Sequence, residues 1–299
     1  MLNSNIDLSF AIKEKIRKIN SSSISIGGDS SLSFMKENDN HSKPLLAIEI
    51  PYIFDETYPE ILKKEWDSSS FEDVFEKALN SNADLISIKF NISETNLEEE
   101  LTNIKRFLDS LKNKTIKPLI LRGANNTTID KVLVRFLAEQ APSEAIIAFA
   151  DEETYENIIP SIIKNNHTLV LRTPIDINLA KELNVLSSDK GLSLDKILID
   201  PDMGGLGYGL DYGYSIIEKI RLAGFDGDKM LNMPIIAFVG EESYRAKEAK
   251  SNTFSDNWGD FETRSSLWEI AGVSALISAS ANIIVAWNPK TIDTIKGLL

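Results

Sequence analysis

Eight short apolar runs, helical stripes between them and the absence of a dinucleotide-binding fingerprint mark this chain as α/β, a (β/α)8 TIM barrel with a short N-terminal cap. The runs are Leu45–Ile50, Asp84–Phe90, Pro118–Leu121, Ala145–Ala150, Thr168–Arg172, Lys196–Asp200, Pro234–Val239 and Asn282–Trp287. Strands that alternate with helices predict a parallel sheet with crossover connections. A count of eight favours closure into a barrel over an open doubly wound sheet.

The helical stripes follow the 3.6-residue period. Phe71, Val74, Phe75, Ala78 and Leu79 share one face, as do Leu97, Leu101, Ile104, Leu108 and Leu111. Thr95 and Glu98 have the spacing of a capping box. Further helices are expected over Ile129–Glu139, Tyr155–Asn165, Ile177–Leu186, Tyr212–Ala223 and Glu262–Ser278. The apolar stretch Ile270–Trp287 is broken by Ser274, Ser278, Ser280 and Asn282, so it reads as a buried helix running into a strand. A membrane span would need roughly 20 predominantly apolar residues.

Residues 1–44 fall outside the alternation. A helix is expected over Ile6–Ile19, then an extended piece over Ser23–Gly28, together capping a barrel of residues 45–299. The length of 299 residues leaves little beyond the roughly 250 that such a barrel uses.

Composition narrows the function. At 42% hydrophobic and 26% charged, the chain is a packed globular protein. Its net charge of −13 argues against nucleic-acid binding and against anionic membrane surfaces. There is no cysteine, so disulfides, zinc–thiolate sites and cysteine-held iron–sulfur clusters are excluded within it. No secretory hydrophobic core opens the sequence, and a cytoplasmic location is expected.

Barrel enzymes work at the C-terminal ends of their strands. Alternation turns Glu49, Ser87 and Lys89 inward, and Arg172 and Asp200 end the fifth and sixth strands in the same way. Neighbouring strands suggest the pairs Glu49–Lys89 and Arg172–Asp200, because buried charges are costly unless paired. These pairs either brace the rim or bind a polar ligand. Schiff-base chemistry at Lys89 is disfavoured by a carboxylate partner, which keeps an amine protonated.

The densest local signal is Asp200–Gly209, DPDMGGLGYG, with four glycines in six positions between a strand and a helix. Glycine admits positive φ and close backbone approach. The loop matches neither G-x-G-x-x-G nor a P-loop, which leaves a tight turn or a ligand and partner contact. Only two histidines occur. His167 opens the fifth strand, on the structural end of the barrel. His41 sits in Asp39-x-His41, faintly like a cobalamin-ligating pattern, except that Pro44 stands where glycine belongs. A histidine triad or multi-histidine metal site is therefore not expected.

The segment Ile199–Asp211, IDPDMGGLGYGLD, resembles a signature of the corrinoid iron–sulfur protein small subunit and of the acetyl-CoA decarbonylase/synthase complex delta subunit, which form one family. Ile26–Asp29 (IGGD), Arg172–Asn184, Gly227–Ile235, Tyr244–Ala249 and Trp258–Glu269 resemble that family in the same order, so the likeness spans nearly the whole chain. The resemblance implies a barrel related to pterin-binding methyltransferases, paired with a large corrinoid iron–sulfur subunit that holds a four-iron cluster and the corrinoid (cobalamin). The iron–sulfur cluster would then lie outside this chain, and the corrinoid would be shared at the interface. The heterodimer would carry a methyl group from methyl-tetrahydropterin to acetyl-CoA synthase in the reductive acetyl-CoA (Wood–Ljungdahl) pathway, meeting a pterin methyltransferase and acetyl-CoA synthase transiently.

On that reading the chain is a non-catalytic or weakly catalytic subunit. Its corrinoid contacts would come from Gly204, Gly205, Gly207, Tyr208 and Gly209, with the side chains of Asp176, Asn178 and Asp200. Two departures lie on the same face. Gly240-Glu241-Glu242-Ser243-Tyr244 stands where the family tends to have Gly-Tyr-Glu-Ala-Trp, and Arg122 stands where a small residue is expected. The alternative is a self-sufficient pterin-dependent methyltransferase barrel, using Asp176, Asn178 and Asp200 to hold a pterin ring.

Overall fold

A computed structural model describes residues 13–33, 42–112, 114, 116–207 and 209–299. In chain order its elements are β1 (Ile19–Ser21), β2 (Ile24–Ile26), β3 (Leu45–Pro51), α1 (Glu60–Trp66), α2 (Phe71–Leu79), β4 (Leu85–Lys89), α3 (Leu97–Leu111), β5 (Leu119–Arg122), α4 (Thr127–Gln140), β6 (Ile146–Ala150), α5 (Tyr155–Lys164), β7 (Thr168–Arg172), α6 (Ile177–Asp189), β8 (Ile197–Asp200), α7 (Leu210–Phe225), β9 (Ile236–Phe238), α8 (Val239–Ser243), α9 (Lys247–Lys250), α10 (Phe261–Ser278), β10 (Ile283–Ala286) and α11 (Pro289–Leu298).

The eight apolar runs form one parallel sheet in the order β8-β7-β6-β5-β4-β3-β10-β9. Its two edges meet through a parallel bridge between Ile199 and Ile235, where the Ile199 N–H donates to Pro234 O at 3.0 Å. That seam closes the barrel. Strand alternation sorts the side chains into two cores. Leu46, Ile48, Ile50, Ile86 and Ile88 face the helices, whereas Ala47, Leu85, Ile120, Val170, Leu198 and Val285 fill the interior.

The interior is plugged from below. β1 and β2 form an antiparallel hairpin whose Ile19 and Ile26 belong to the interior cluster. The helix expected over Ile6–Ile19 is corrected here. Residues 6–12 lie outside the described ones, and residues 13–18 are not helical. Their backbone bonds instead reach the barrel floor, with Lys13 N–H donating to Phe225 O and Arg17 N–H to Asn232 O. An irregular segment with Ile16 and Ile19 buried mimics a helical stripe over so short a window.

Two local readings also change. The Thr95–Glu98 capping box does not form. Glu94–Asn96 is a 3₁₀ turn, and Asn96 stands at the head of α3 without a side-chain cap. The helices α1, α8, α9 and α11 have no counterpart among the expected helices, because most are too short for a periodic stripe. Asn288-Pro289 nevertheless starts α11 as a proper cap, with Asn288 accepting from the Lys290 N–H. No helix among the described residues is long and apolar enough to cross a membrane.

Candidate functional site

The C-terminal mouth of the barrel is filled by side chains. Glu49, 1% exposed, comes up from β3 and accepts three hydrogen bonds: from Arg122 Nη1 at 2.7 Å, Trp287 Nε1 at 2.8 Å and Ser87 Oγ at 2.7 Å. Arg122, on β5, also donates through Nη2 to Glu241 of α8, and Glu241 in turn meets Lys89 Nζ at 3.1 Å. The result is a chain of charges, Glu49–Arg122–Glu241–Lys89. The expected pair Glu49–Lys89 is therefore corrected. Glu49 lies in register with Ser87, while Lys89 lies in register with Pro51, two residues higher. That is about 7 Å along the strands.

Electrostatics follow the geometry. Burial pushes the Glu241 carboxyl up, but Arg122 and Lys89 outweigh it and hold the group well below the usual carboxylate range. Burial opposes the Arg122 charge, yet Glu49 and Glu241 fix it as a cation, with its pKa raised. Lys89 is thus an ion-pair partner, as its carboxylate neighbour predicts.

On the opposite side, Arg172 Nε donates to Asp200 Oδ2 at 2.6 Å, as the strand ends suggest. Asp200 Oδ1 accepts from the Asp202 N–H at 3.0 Å. Burial raises the Asp200 carboxyl; Arg172 works against that rise and Asp202 adds to it. Both arginines lie over aromatic rings. Arg172 sits 3.3 Å from the Phe149 ring centre and Arg122 sits 4.7 Å from that of Phe238. The β6–β7 register slips between Ala148 and Ala150, so Ala148 and Phe149 both pack on the interior core. Between the two halves remains a hollow of about 10 Å³, bounded by Arg122, Arg172, Asp200, Met203, Phe238 and Glu241. It has room for about one water.

The glycine loop is packed against its neighbours. A Cβ at Gly205 would lie 2.7 Å from the Glu242 backbone, so glycine lets the loop touch α8. Met203 is buried against Gly213 of α7. The Trp268 indole of α10 donates to Leu206 O at 3.2 Å. Gly207 is exposed with φ +84°, and Gly209, at φ +94°, starts α7. Gly204 lies between Met203 and Gly205, partly exposed, and Tyr208 lies outside the described residues.

The other expected site residues do not line that hollow. Asp176 caps α6, accepting from the Asn178 N–H at 2.7 Å and the Leu179 N–H at 3.2 Å. Asn178 is exposed in the first turn of that helix. The carboxylate of Asp176 is thus engaged in capping, and Asn178 is the freer of the two. His167 is buried near the opposite end, with Nε2 3.1 Å from Ala138 O. His41 and Asp39 lie outside the described residues. Among the described residues no group of three or more His, Asp or Glu side chains could hold a metal ion. Sequence reasoning missed Arg122 as the hub, and with it Trp287 and Phe149. The signal available was an arginine at a strand end, in register with the inward Lys89.

The closed eight-stranded sheet defines the molecule as a TIM barrel, and solved dihydropteroate synthases share its shape. That of Vibrio fischeri ES114 superposes with a TM-score of 0.58 at 15% identity, covering 94% of this chain and 96% of that one. That of Yersinia pestis gives 0.56 at 13% identity, over 95% and 100%. By sequence, the chain belongs to the CO dehydrogenase/acetyl-CoA synthase delta subunit family, whose model matches residues 16–276. Among named relatives, the acetyl-CoA decarbonylase/synthase complex subunit delta of Methanocaldococcus jannaschii is 26% identical, covering 91% of this chain and 68% of that protein. The subunit delta of Archaeoglobus fulgidus is 30% identical over 71% of this chain and 47% of its own length. The delta 1 subunit of Methanosarcina thermophila is 28% identical over 81% and 56%. The chain thus spans about half to two thirds of the length of these relatives.

Proposed function

We propose that this chain is the barrel subunit of a corrinoid-based methyl carrier, covering a corrinoid held by a large iron–sulfur subunit. In this role it helps move a methyl group from methyl-tetrahydropterin to acetyl-CoA synthase. The carrying observation is the filled mouth. With hollows of only about 10 Å³ between Arg122, Arg172 and Glu241 and about 40 Å³ between Glu49, Lys89 and Trp287, the mouth leaves little room for a ring-sized substrate. A ligand must lie on the rim, where Gly207 is exposed and backbone can approach closely.

The residues fit a corrinoid as a cover. His167 is buried and turned to Ala138, away from this face. A corrinoid, when bound, supplies the cobalt that carries the methyl group. The residues of this chain supply the rest: Gly205 and Trp268 hold the loop in place, while the ion chain of Arg122 keeps the floor rigid and free of bulk water. Asp200 is committed to Arg172 and acts by bracing that floor.

Co-expression with candidate large subunits tests the reading. A coloured complex with corrinoid and iron–sulfur absorbance, both missing from this chain alone, is the expected result. Tight binding of methyl-tetrahydrofolate by the isolated chain would overturn it in favour of a self-sufficient methyltransferase.

A further inference from the structure

The outer helices of a barrel normally turn a charged face to water. α10 does not. Beyond Glu262 its only charged residues are Arg264 and Glu269, and both are buried. The outward face is left to uncharged side chains, including Leu267, Trp268, Ala271 and Ala275. Leu267 is 56% exposed, Tyr212 of α7 66%, and Trp258, just before α10, 50%. A helix whose outward face carries Leu267 and Trp268 and, past Glu262, no charge is suited to being covered on that side as well.

The surface is also concave. An open hollow of about 710 Å³ lies over Leu206, Leu210, Tyr214 and Ala275, between α7 and α10. A second, of about 240 Å³, lies over Trp258, Leu267 and Trp268. Leu206 belongs to both, so the two form one groove along the outer side of the glycine loop. The 18 residues of α10 give it a length of about 27 Å.

Its charge is one-sided. Asp211 and Asp260 are exposed in its lining, and neither has an ion-pair partner among the described residues. The cation that lines the groove, Arg264, is spent on three backbone carbonyls: Glu248 O at 2.9 Å, Gly259 O at 3.1 Å and Ser251 O at 2.8 Å. A second copy would bring acid to acid on a chain of net charge −13, and an anionic lipid surface would be repelled for the same reason.

We infer that the α7–α10 groove docks an amphipathic helix of a partner protein, with leucine or aromatic anchors on one face and lysine or arginine along its flanks. The groove between two helices sets the helical form, the uncharged floor sets the anchors, and the two carboxylates set the charge of the flanks. This holds whether or not a corrinoid is shared at the neighbouring rim.

The test uses the full chain and a synthetic 18-residue helix of leucine and lysine, beside its counterpart with glutamate for lysine. Titration calorimetry is expected to show saturable binding of the lysine peptide alone. Leu267→Asp should weaken it about tenfold or more, as loss of a central anchor does. Asp211→Asn with Asp260→Asn should weaken it and flatten its salt dependence. Ile163→Asp, at an equally exposed residue of α5, should leave it unchanged. Equal binding by the Leu267→Asp and Ile163→Asp chains would overturn the inference. So would a concentration-dependent dimer, or binding to phosphatidylglycerol vesicles, that Leu267→Asp abolishes.

Discussion

Arg122 and Glu49 face each other across the barrel mouth at 2.7 Å, each with its side chain 1% exposed. Removing one member of such a pair strands the other as an unpaired buried charge, at a cost of about 3–5 kcal/mol. Arg122→Ala should therefore lower the unfolding free energy by that amount, read by urea denaturation. Arg122→Met combined with Glu49→Leu should recover part of the loss, because it removes both charges of this pair and keeps the volume, while Glu241 keeps Lys89 at 3.1 Å. If the double variant is no more stable than Arg122→Ala, the pair is not the source of the cost.

The glycine loop separates a packing requirement from a conformational one. At Gly205 a methyl group would meet the Glu242 backbone at 2.7 Å, and backbone cannot swing aside. Gly205→Ala should cost about 1–3 kcal/mol and shift the loop off α8. At Gly207 the Cβ has room, 3.4 Å from Trp268, and only the positive φ resists. Gly207→Ala should cost about 1 kcal/mol. Thermal unfolding of the two variants gives the order.

Trp268 ties the same loop to α10 through a single bond to Leu206 O. Trp268→Phe keeps most of the apolar contact and removes the donor, worth about 1 kcal/mol. Amide exchange at Gly207 and Gly209 is expected to quicken in this variant, with exchange in β8 unchanged. Uniform acceleration across the barrel would mean that Trp268 acts as a core residue and not as a loop tether.

Legibility in the sequence tracked how local the cause was. All eight barrel strands could be read, because burial on both sheet faces writes apolar runs whatever the neighbours are. The inward turn of Glu49 and Lys89 also followed from alternation alone. Their partners did not. Adjacent strands are staggered in a closed barrel, so Glu49 meets Arg122 from two strands away, and Lys89 meets Glu241 from a helix that no periodicity announces. The arginine fork bridges both carboxylates because its donors span more than one layer. For the same reason the glycine loop was visible, yet its packing was not. Gly205 is demanded by α8, some 37 residues further along the chain, and Asp176 by the first turn of its own helix.

Two buried groups tilt stability with pH in opposite senses. His167 has its pKa lowered by burial from 6.5 to about 4. Between those values the unfolded chain binds a proton that the folded one refuses, so stability is lost as pH falls through that window. Glu269 is raised by burial from 4.5 to about 7, although it accepts from the Trp287 and Asn288 N–H groups. Here the folded chain keeps the extra proton, and stability is lost as pH rises from 4.5 to about 7. Each contributes about 3 kcal/mol across its window, and the two slopes nearly cancel where the windows overlap. His167→Gln, which can still donate to Ala138 O, should leave a chain whose stability falls with rising pH relative to the parent. Glu269→Gln should leave one whose stability rises. Urea midpoints at pH 4.5, 5.5 and 6.5 measure both differences. Parallel curves for parent and variants would mean that neither group titrates in the folded state as its burial requires.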